Sequence, residues 1–269
     1  MNDAQKGIAP AEFLLGRAYF RGEGVPQDDA KALIWFRKAA DQGNAKAEHN
    51  LGTMYLNGRG VSRDDKEAAK WLRKAAEQGT ALSEDTLGQM FASGTGVPKD
   101  NKEAAIWYRK AAEQGLAEAE VHLGKLYYFG ADGVPKDYDE AAKWVAKAAE
   151  QNQPWAQNAL GLMYENGFGV LKDPRQAAEW YQKGADQGDA KSEFNLGRAY
   201  LDGLGVERDT AKAYLWLTLS AGQRDVPATK MLKDLQLSLK PEEIAEGNRL
   251  VDEYRERTRN TAPVNKTQP

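Results

Sequence analysis

The alternation of apolar and polar positions along this chain repeats itself. Tryptophans fall at 35, 71, 107, 144, 180 and 216, at spacings of 36, 36, 37, 36 and 36. A Leu-Gly pair keeps the same step at Leu15-Gly16, Leu51-Gly52, Leu87-Gly88, Leu123-Gly124, Leu160-Gly161 and Leu196-Gly197. An aromatic follows each leucine by four residues: Tyr19, Tyr55, Phe91, Tyr127, Tyr164 and Tyr200. A fixed period between about 20 and 50 residues marks a solenoid, in which each copy buries its apolar face only against its neighbours.

Each copy is predicted to form two helices. The first runs through "NAKAEHNLGTMYLNG", where Leu51 and Tyr55 share a face. Gly52 beside them admits a second helix closely, against a helix penalty of about 1 kcal/mol. The second helix runs through "DDKEAAKWLRKAAEQG". An aspartate stands seven residues before each tryptophan, at Asp28, Asp64, Asp100, Asp137, Asp173 and Asp209. There its carboxylate can accept hydrogen bonds from first-turn N–H groups. In "DPRQAAEW", an N-cap at Asp173 puts Pro174 at the one helix position suited to proline. Gly43, Gly79, Gly115 and Gly188 then end the helix in the left-handed conformation, and Asn152 takes that place once.

The two helices are joined by "RGEGV", "NGRGV", "SGTGV", "FGADGV", "NGFGV" and "DGLGV". A Gly-x-Gly turn before a helix can hold a phosphate, but a phosphate loop has no reason to recur once per copy, and none completes G-x-G-x-x-G. The glycines are assigned to positive backbone angles between helices. The valine that follows plugs the loop into the core. "FGADGV" has one extra residue, Ala131 or Asp132, which accounts for the spacing of 37.

The pattern A-x-A-x3-L-G-x2-Y-x2-G-x-G-V-x2-D-x6-W-x3-A-A-x2-G resembles the Sel1-like repeat, a relative of the tetratricopeptide repeat. It recurs six times and covers residues 4 to about 232. The resemblance implies an all-α, right-handed superhelical α-solenoid with repeats starting near 9, 45, 81, 117, 154 and 190. It also implies a bacterial adaptor that binds partner proteins, as family members do in envelope, secretion, signalling and degradation complexes. Some cysteine-rich bacterial relatives are associated with penicillin binding or hydrolysis. This chain has no cysteine, so that activity is not carried over.

At the N-terminus "AQKGIAPAEFLLG" aligns with "ADQGNAKAEHNLG", so the chain opens on the end of a second helix. Phe13 and Leu14 are expected to lack cover, which makes end-to-end self-association through this helix a further reading. Near the C-terminus Lys233 replaces the glycine of Leu-Gly and the pattern decays. "KPEEIAEGNRLVDEYRER" predicts a final helix with Ile244, Val251 and Tyr254 on one face. Residues 1–257 are expected to form a single solenoid, with 226–257 as its cap and 258–269 as a disordered tail.

Composition narrows the function. Charged residues make up 29% and the net charge is −3, so there is no bulk electrostatic case for nucleic acid or an anionic membrane. The absence of cysteine excludes disulfides and Cys-containing zinc sites. The two histidines, His49 and His122, are one helical step out of register and are assigned to the surface or groove. The aspartate pairs are caps rather than acid–base dyads, and no cofactor or metal is implied. No run approaches the roughly 20 apolar residues of a membrane span. The start lacks a signal pattern, so the chain as written is expected in the cytoplasm, or in the periplasm or outside the cell if an upstream signal was removed.

A helical wheel locates the candidate site. With Leu160 at zero, Tyr164 falls near 40°, on the packed side. Trp155, Asn158, Leu162 and Glu165 fall between about 140° and 220°, on the opposite, concave side. The same register gives Lys125 and Tyr128 in the fourth repeat, and Phe194 and Arg198 in the sixth. Of seven tryptophans, Trp155 is the one the repeat does not require. With Tyr128, Leu162 and Phe194 it is expected to make an aromatic patch rimmed by Lys125, Glu165 and Arg198, residue types that anchor interfaces. The reading is a non-enzymatic scaffold that binds a protein or peptide on its concave face.

Overall fold

A computed structural model describes residues 7–261. Among these residues fourteen helices follow one another, with no named strand. They are α1 (Ala9–Arg21), α2 (Asp29–Asp41), α3 (Ala45–Asn57), α4 (Asp65–Glu77), α5 (Ala81–Ser93), α6 (Asn101–Glu113) and α7 (Ala117–Phe129), then α8 (Tyr138–Glu150), α9 (Pro154–Asn166), α10 (Pro174–Asp186), α11 (Ala190–Asp202), α12 (Thr210–Gly222), α13 (Val226–Ser238) and α14 (Pro241–Thr261). Each repeat contributes an A helix and then a B helix. The chain divides into two compact units, one ending at Asp137 and one beginning at Tyr138. In the first, α1 to α7 each pack on their neighbours in sequence; in the second, α8 to α13 do so and α14 returns onto α12.

The caps form as the sequence predicts. Asp64 Oδ1 accepts from the backbone N–H groups of Lys66 and Glu67, both at 3.0 Å. Asp28, Asp100, Asp173 and Asp209 cap their helices the same way, each worth about 1 kcal/mol. Pro174 is the first residue of α10. B helices end on left-handed residues, including Asn152 at φ 60°. In the sixth repeat Arg224 takes this place at φ 66°, a position the glycine pattern did not reveal.

Two backbone approaches set the packing. Within a repeat, a Cβ on Gly52 would lie 2.7 Å from Leu72 Cγ. Gly16, Gly88, Gly161 and Gly197 abut Phe36, Tyr108, Tyr181 and Leu217 just as closely, at 2.4 to 2.9 Å. Between repeats, the turn docks on the preceding B helix. Gly60 has φ +69°, and a Cβ there would lie 2.5 Å from the Asp29 carbonyl oxygen at the start of α2. Arg59 seals this contact with two bonds to the Asp29 carboxylate, at 2.8 and 2.9 Å, and rests on the Phe20 ring at 3.8 Å. The turn glycines are therefore structural, and the extra residue of "FGADGV" is absorbed locally. Ala131 and Val134 exchange backbone hydrogen bonds of 2.7 and 2.8 Å, and Val134 is buried.

The repeat tryptophans carry much of the core. Trp71, Trp107, Trp144 and Trp216 are buried, while Trp35 and Trp180 are half-buried. A lysine three residues on lies over the ring in the first five repeats, at 3.6 to 4.5 Å. Trp71 Nε1 donates to Glu67 at 2.8 Å, but the buried Trp107 Nε1 has no partner.

The ends differ in part from expectation. Phe13 is not bare: it packs 5.9 Å from the Phe36 ring, while Leu14 is exposed. The first residues of "AQKG" lie outside the described residues. At the other end Val251 is buried, Ile244 pack against the same cluster, and the Tyr254 ring meets Trp216 edge-on at 5.1 Å. The last helix runs to Thr261, so residues 258–261 of the expected tail are helical. Within it the Thr258 hydroxyl donates to the Tyr254 carbonyl at 3.0 Å. Residues 262–269 lie outside the described residues.

Replacing Trp107 with alanine is expected to lower stability by about 3–5 kcal/mol in urea unfolding, because the side chain is buried. Trp107→Phe is expected to lose less, since the indole N–H has no bond to give up. A change below about 1 kcal/mol for alanine would contradict a core role.

Candidate interaction face

In the second unit the A helices α9 and α11 touch through polar side chains. Asn195 Nδ2 donates to Asn158 Oδ1 at 2.8 Å, and both residues are buried. Further along the same helices Arg198 pairs with Glu165 at 2.6 Å. The Tyr181 hydroxyl, from α10, donates to the same carboxylate at 2.6 Å. The structure therefore places three of the predicted site residues in cross-helix pairs: Glu165 with Arg198, and Asn158 with Asn195, which the sequence reading did not single out. Asn158 is enclosed between helices rather than open. Glu165 and Arg198 neutralise each other instead of standing as separate rim charges.

The other candidates are placed as follows. Leu162 and Phe194 are half-buried against the cluster containing Tyr181, Leu196 and Leu217. Trp155 is half-buried in the first turn of α9. Lys125 and Tyr128 stand on α7 in the first unit, both half-buried, with the Tyr128 ring edge-on to Phe129 at 5.0 Å.

The histidines have more definite roles than sequence position gave them. His49 Nδ1 lies 2.8 Å from Ser83 Oγ, and His122 Nδ1 lies 2.8 Å from Asp85 Oδ1. Each ties its own A helix to α5. Burial holds the His49 imidazole below its ordinary pKa. Ser83 is wholly buried, so its hydroxyl is not presented as a nucleophile. Among the described residues no group of three or more His, Cys, Asp or Glu could hold a metal ion. No described helix is long and apolar enough to cross a membrane.

A second set of polar contacts escaped the motif. Gln42, Gln78, Gln114 and Gln223 each donate through Nε2 to a glutamate 30 residues earlier: Glu12, Glu48, Glu84 and Glu193, at 2.6, 2.7, 2.6 and 2.9 Å. In the fifth repeat Gln187 donates to Gln157 at 2.7 Å. These bonds tie the end of a B helix to the start of its own A helix, where the acceptor is buried. The signal was present as a glutamate three residues before five of the six Leu-Gly pairs, with Gln157 in the fifth repeat, but only the packed pair gives it a partner. Burial raises the pKa of Glu48 and Glu84. It pushes Glu193 up to about 7, with Asp189 adding and the Gln223 bond opposing.

Stacked helix pairs of this kind, joined side chain to side chain across successive A helices, define an α-solenoid repeat protein. The chain belongs to the Sel1 repeat family, whose repeat matches residues 9–44, 45–80, 87–116, 117–153, 156–189 and 190–225. Sel1 repeats typically serve as protein-interaction scaffolds. The chain is similar to a Sel1 repeat protein from Oxalobacter formigenes, with 38% identity over 81% of this chain and 89% of that one, at a TM-score of 0.68. It is also similar to c5321, a protective antigen of uropathogenic Escherichia coli with an SLR fold, at 30% identity over 94% and 70% of the two chains and a TM-score of 0.44. A cysteine rich protein B of Helicobacter pylori shares 27% identity over 50% and 96%, at a TM-score of 0.41. No curated protein matches the chain.

The raised Glu193 pKa sets a pH dependence. A carboxyl whose folded pKa lies above its unfolded value stabilises most below about pH 4.5, and the contribution is lost as pH rises through about 7. Glu193→Gln, which copies the natural Gln157–Gln187 pair, is expected to remove that loss. Wild-type Tm should fall relative to the variant between pH 5 and pH 8; parallel curves would show that Glu193 does not titrate there.

Proposed function

We propose that this chain is a non-catalytic adaptor that captures a protein or peptide on the face built from its A helices. The candidate contact residues in the second unit are Trp155, Asn158, Leu162, Glu165, Phe194 and Arg198; in the first unit, Lys125 and Tyr128 are separate candidates on α7. The observation that carries the reading is Trp155. It is the tryptophan the repeat does not use, and it sits half-buried at the start of α9. Large aromatics beside arginine are the residue types that concentrate binding energy at interfaces. The Glu165–Arg198 pair leaves this part of the face nearly neutral, so apolar contact is expected to dominate over charge. The scaffold role typical of Sel1 repeats supports the same reading.

An affinity pull-down with wild type and Trp155→Ala in parallel tests it. The variant is expected to retain a Tm within a few degrees of wild type while losing most of the captured partner. Unchanged capture with a large loss of Tm would assign Trp155 to the core instead.

A further inference from the structure

Where a B helix meets the A helix of the next repeat, the filling of the contact differs along the chain. In the first unit an arginine occupies it, two residues after the repeat tryptophan. Arg37 donates to the Tyr55 hydroxyl and lies over both the Tyr55 ring, at 5.5 Å, and the Trp71 ring, at 5.8 Å. Arg73 lies over Phe91 at 5.4 Å. Arg109 lies over Tyr127 at 5.8 Å and donates to its hydroxyl at 2.9 Å. Three successive repeats thus place a guanidinium against the aromatic 18 residues downstream.

In the second unit the corresponding residues are Ala146, Gln182 and Thr218. Gln182 turns along its own helix, with Nε2 donating to Asp186 at 2.9 Å. Beside it lies an open cleft of about 580 Å³ between α10 and α11, with Tyr200, Leu196, Val206 and Ala178 among its walls. The ring is kept and its own arginine is missing.

Charge at the cleft is compatible with a returning cation. The helix that sends Arg73 over Phe91 also carries Lys66, Lys70 and Lys74, with Lys70 paired to Glu67 at 3.2 Å. At Tyr200 the equivalent residues are Arg175, Glu179, Lys183 and the uncharged Gln182. With Glu67 and its uncharged counterpart Gln176 counted, a net of three positive charges has become a net of one. Lys212 also lies near the ring, at 5.2 Å, and is neutralised by Asp209 at 3.2 Å. A contact type that retains a guanidinium among three lysines has room for one here.

We propose that this cleft receives an arginine side chain from a partner protein, its guanidinium stacked on Tyr200 where the first unit uses its own arginine. Arginine fits better than lysine because its planar group stacks on a ring and still donates in its plane. The alkyl stem would run over Leu196 and Val206. The cleft lies between α10 and α11, whereas the proposed adaptor contacts join α9 to α11, so the two sites can fail separately.

The test is an NMR titration of the full chain with three synthetic peptides, Gly-Gly-Arg-Gly-Gly and its lysine and citrulline counterparts. The arginine peptide is expected to shift the Tyr200 and Gln182 signals saturably and to bind roughly two- to fivefold more tightly than the lysine peptide. The citrulline peptide, similar in shape but uncharged, is expected to leave those signals in place. Gln182→Arg refills the cleft from within, and is expected to abolish the shifts without lowering Tm. Equal response to arginine and citrulline, no response at Tyr200, or undiminished binding by a folded Gln182→Arg protein would each overturn the proposal. None of these results would bear on capture at Trp155.

Discussion

The packing depends on the approach of two helices at a glycine with no room for a methyl group. At Gly52 and its equivalents the B helix lies so close that any side chain would overlap Leu72 or its counterpart. That separation lets the leucine beside the glycine bury completely and puts small alanines at the neighbouring contacts. A second close approach, of Gly60 to the Asp29 carbonyl, fixes one repeat to the next. The first sets a side chain against a bare backbone and the second sets backbone against backbone. They recur with the period and leave the variable positions free to differ.

Polar contacts then specify how the close-packed helices align. Each buried glutamate would be expensive to desolvate without a partner, and the glutamine at the end of the B helix supplies one. Asn158 with Asn195, Asp85 with His122 and His49 with Ser83 do the same across successive A helices. These bonds use side chains that a surface-directed reading would count as available. The polar groups along the A helices are therefore already partly engaged within the fold.

The two units depart from each other in a consistent way. The first fills its B-to-A contacts with arginine, while the second has alanine, glutamine and threonine at those positions. The second also holds Trp155 and the neutral pairs of α9 and α11. Features the scaffold does not require thus gather in the later repeats.

The period determined that the chain is a solenoid, because a unit that cannot close its own core must stack on copies of itself, and the i, i+4 spacing of Leu51 and Tyr55 with the aspartate caps made its units helical. The caps were legible for a related reason: Asp64 and Lys66 are local in sequence, so the bond needs no knowledge of packing. The left-handed Asn152 was legible by alignment with glycines, but Arg224 was not, since arginine carries no intrinsic preference for that angle. Tertiary structure alone decided the contacts between helices. A wheel drawn on α9 placed Asn158 on an open side, yet α11 covers it and supplies its partner. Gln78 and Glu48 are 30 residues apart on different helices, so neither predicts the other until the helices meet. The cleft beside Gln182 is visible in sequence only as a missing arginine, and that absence gained meaning once Arg37 and Arg109 were seen resting on their rings.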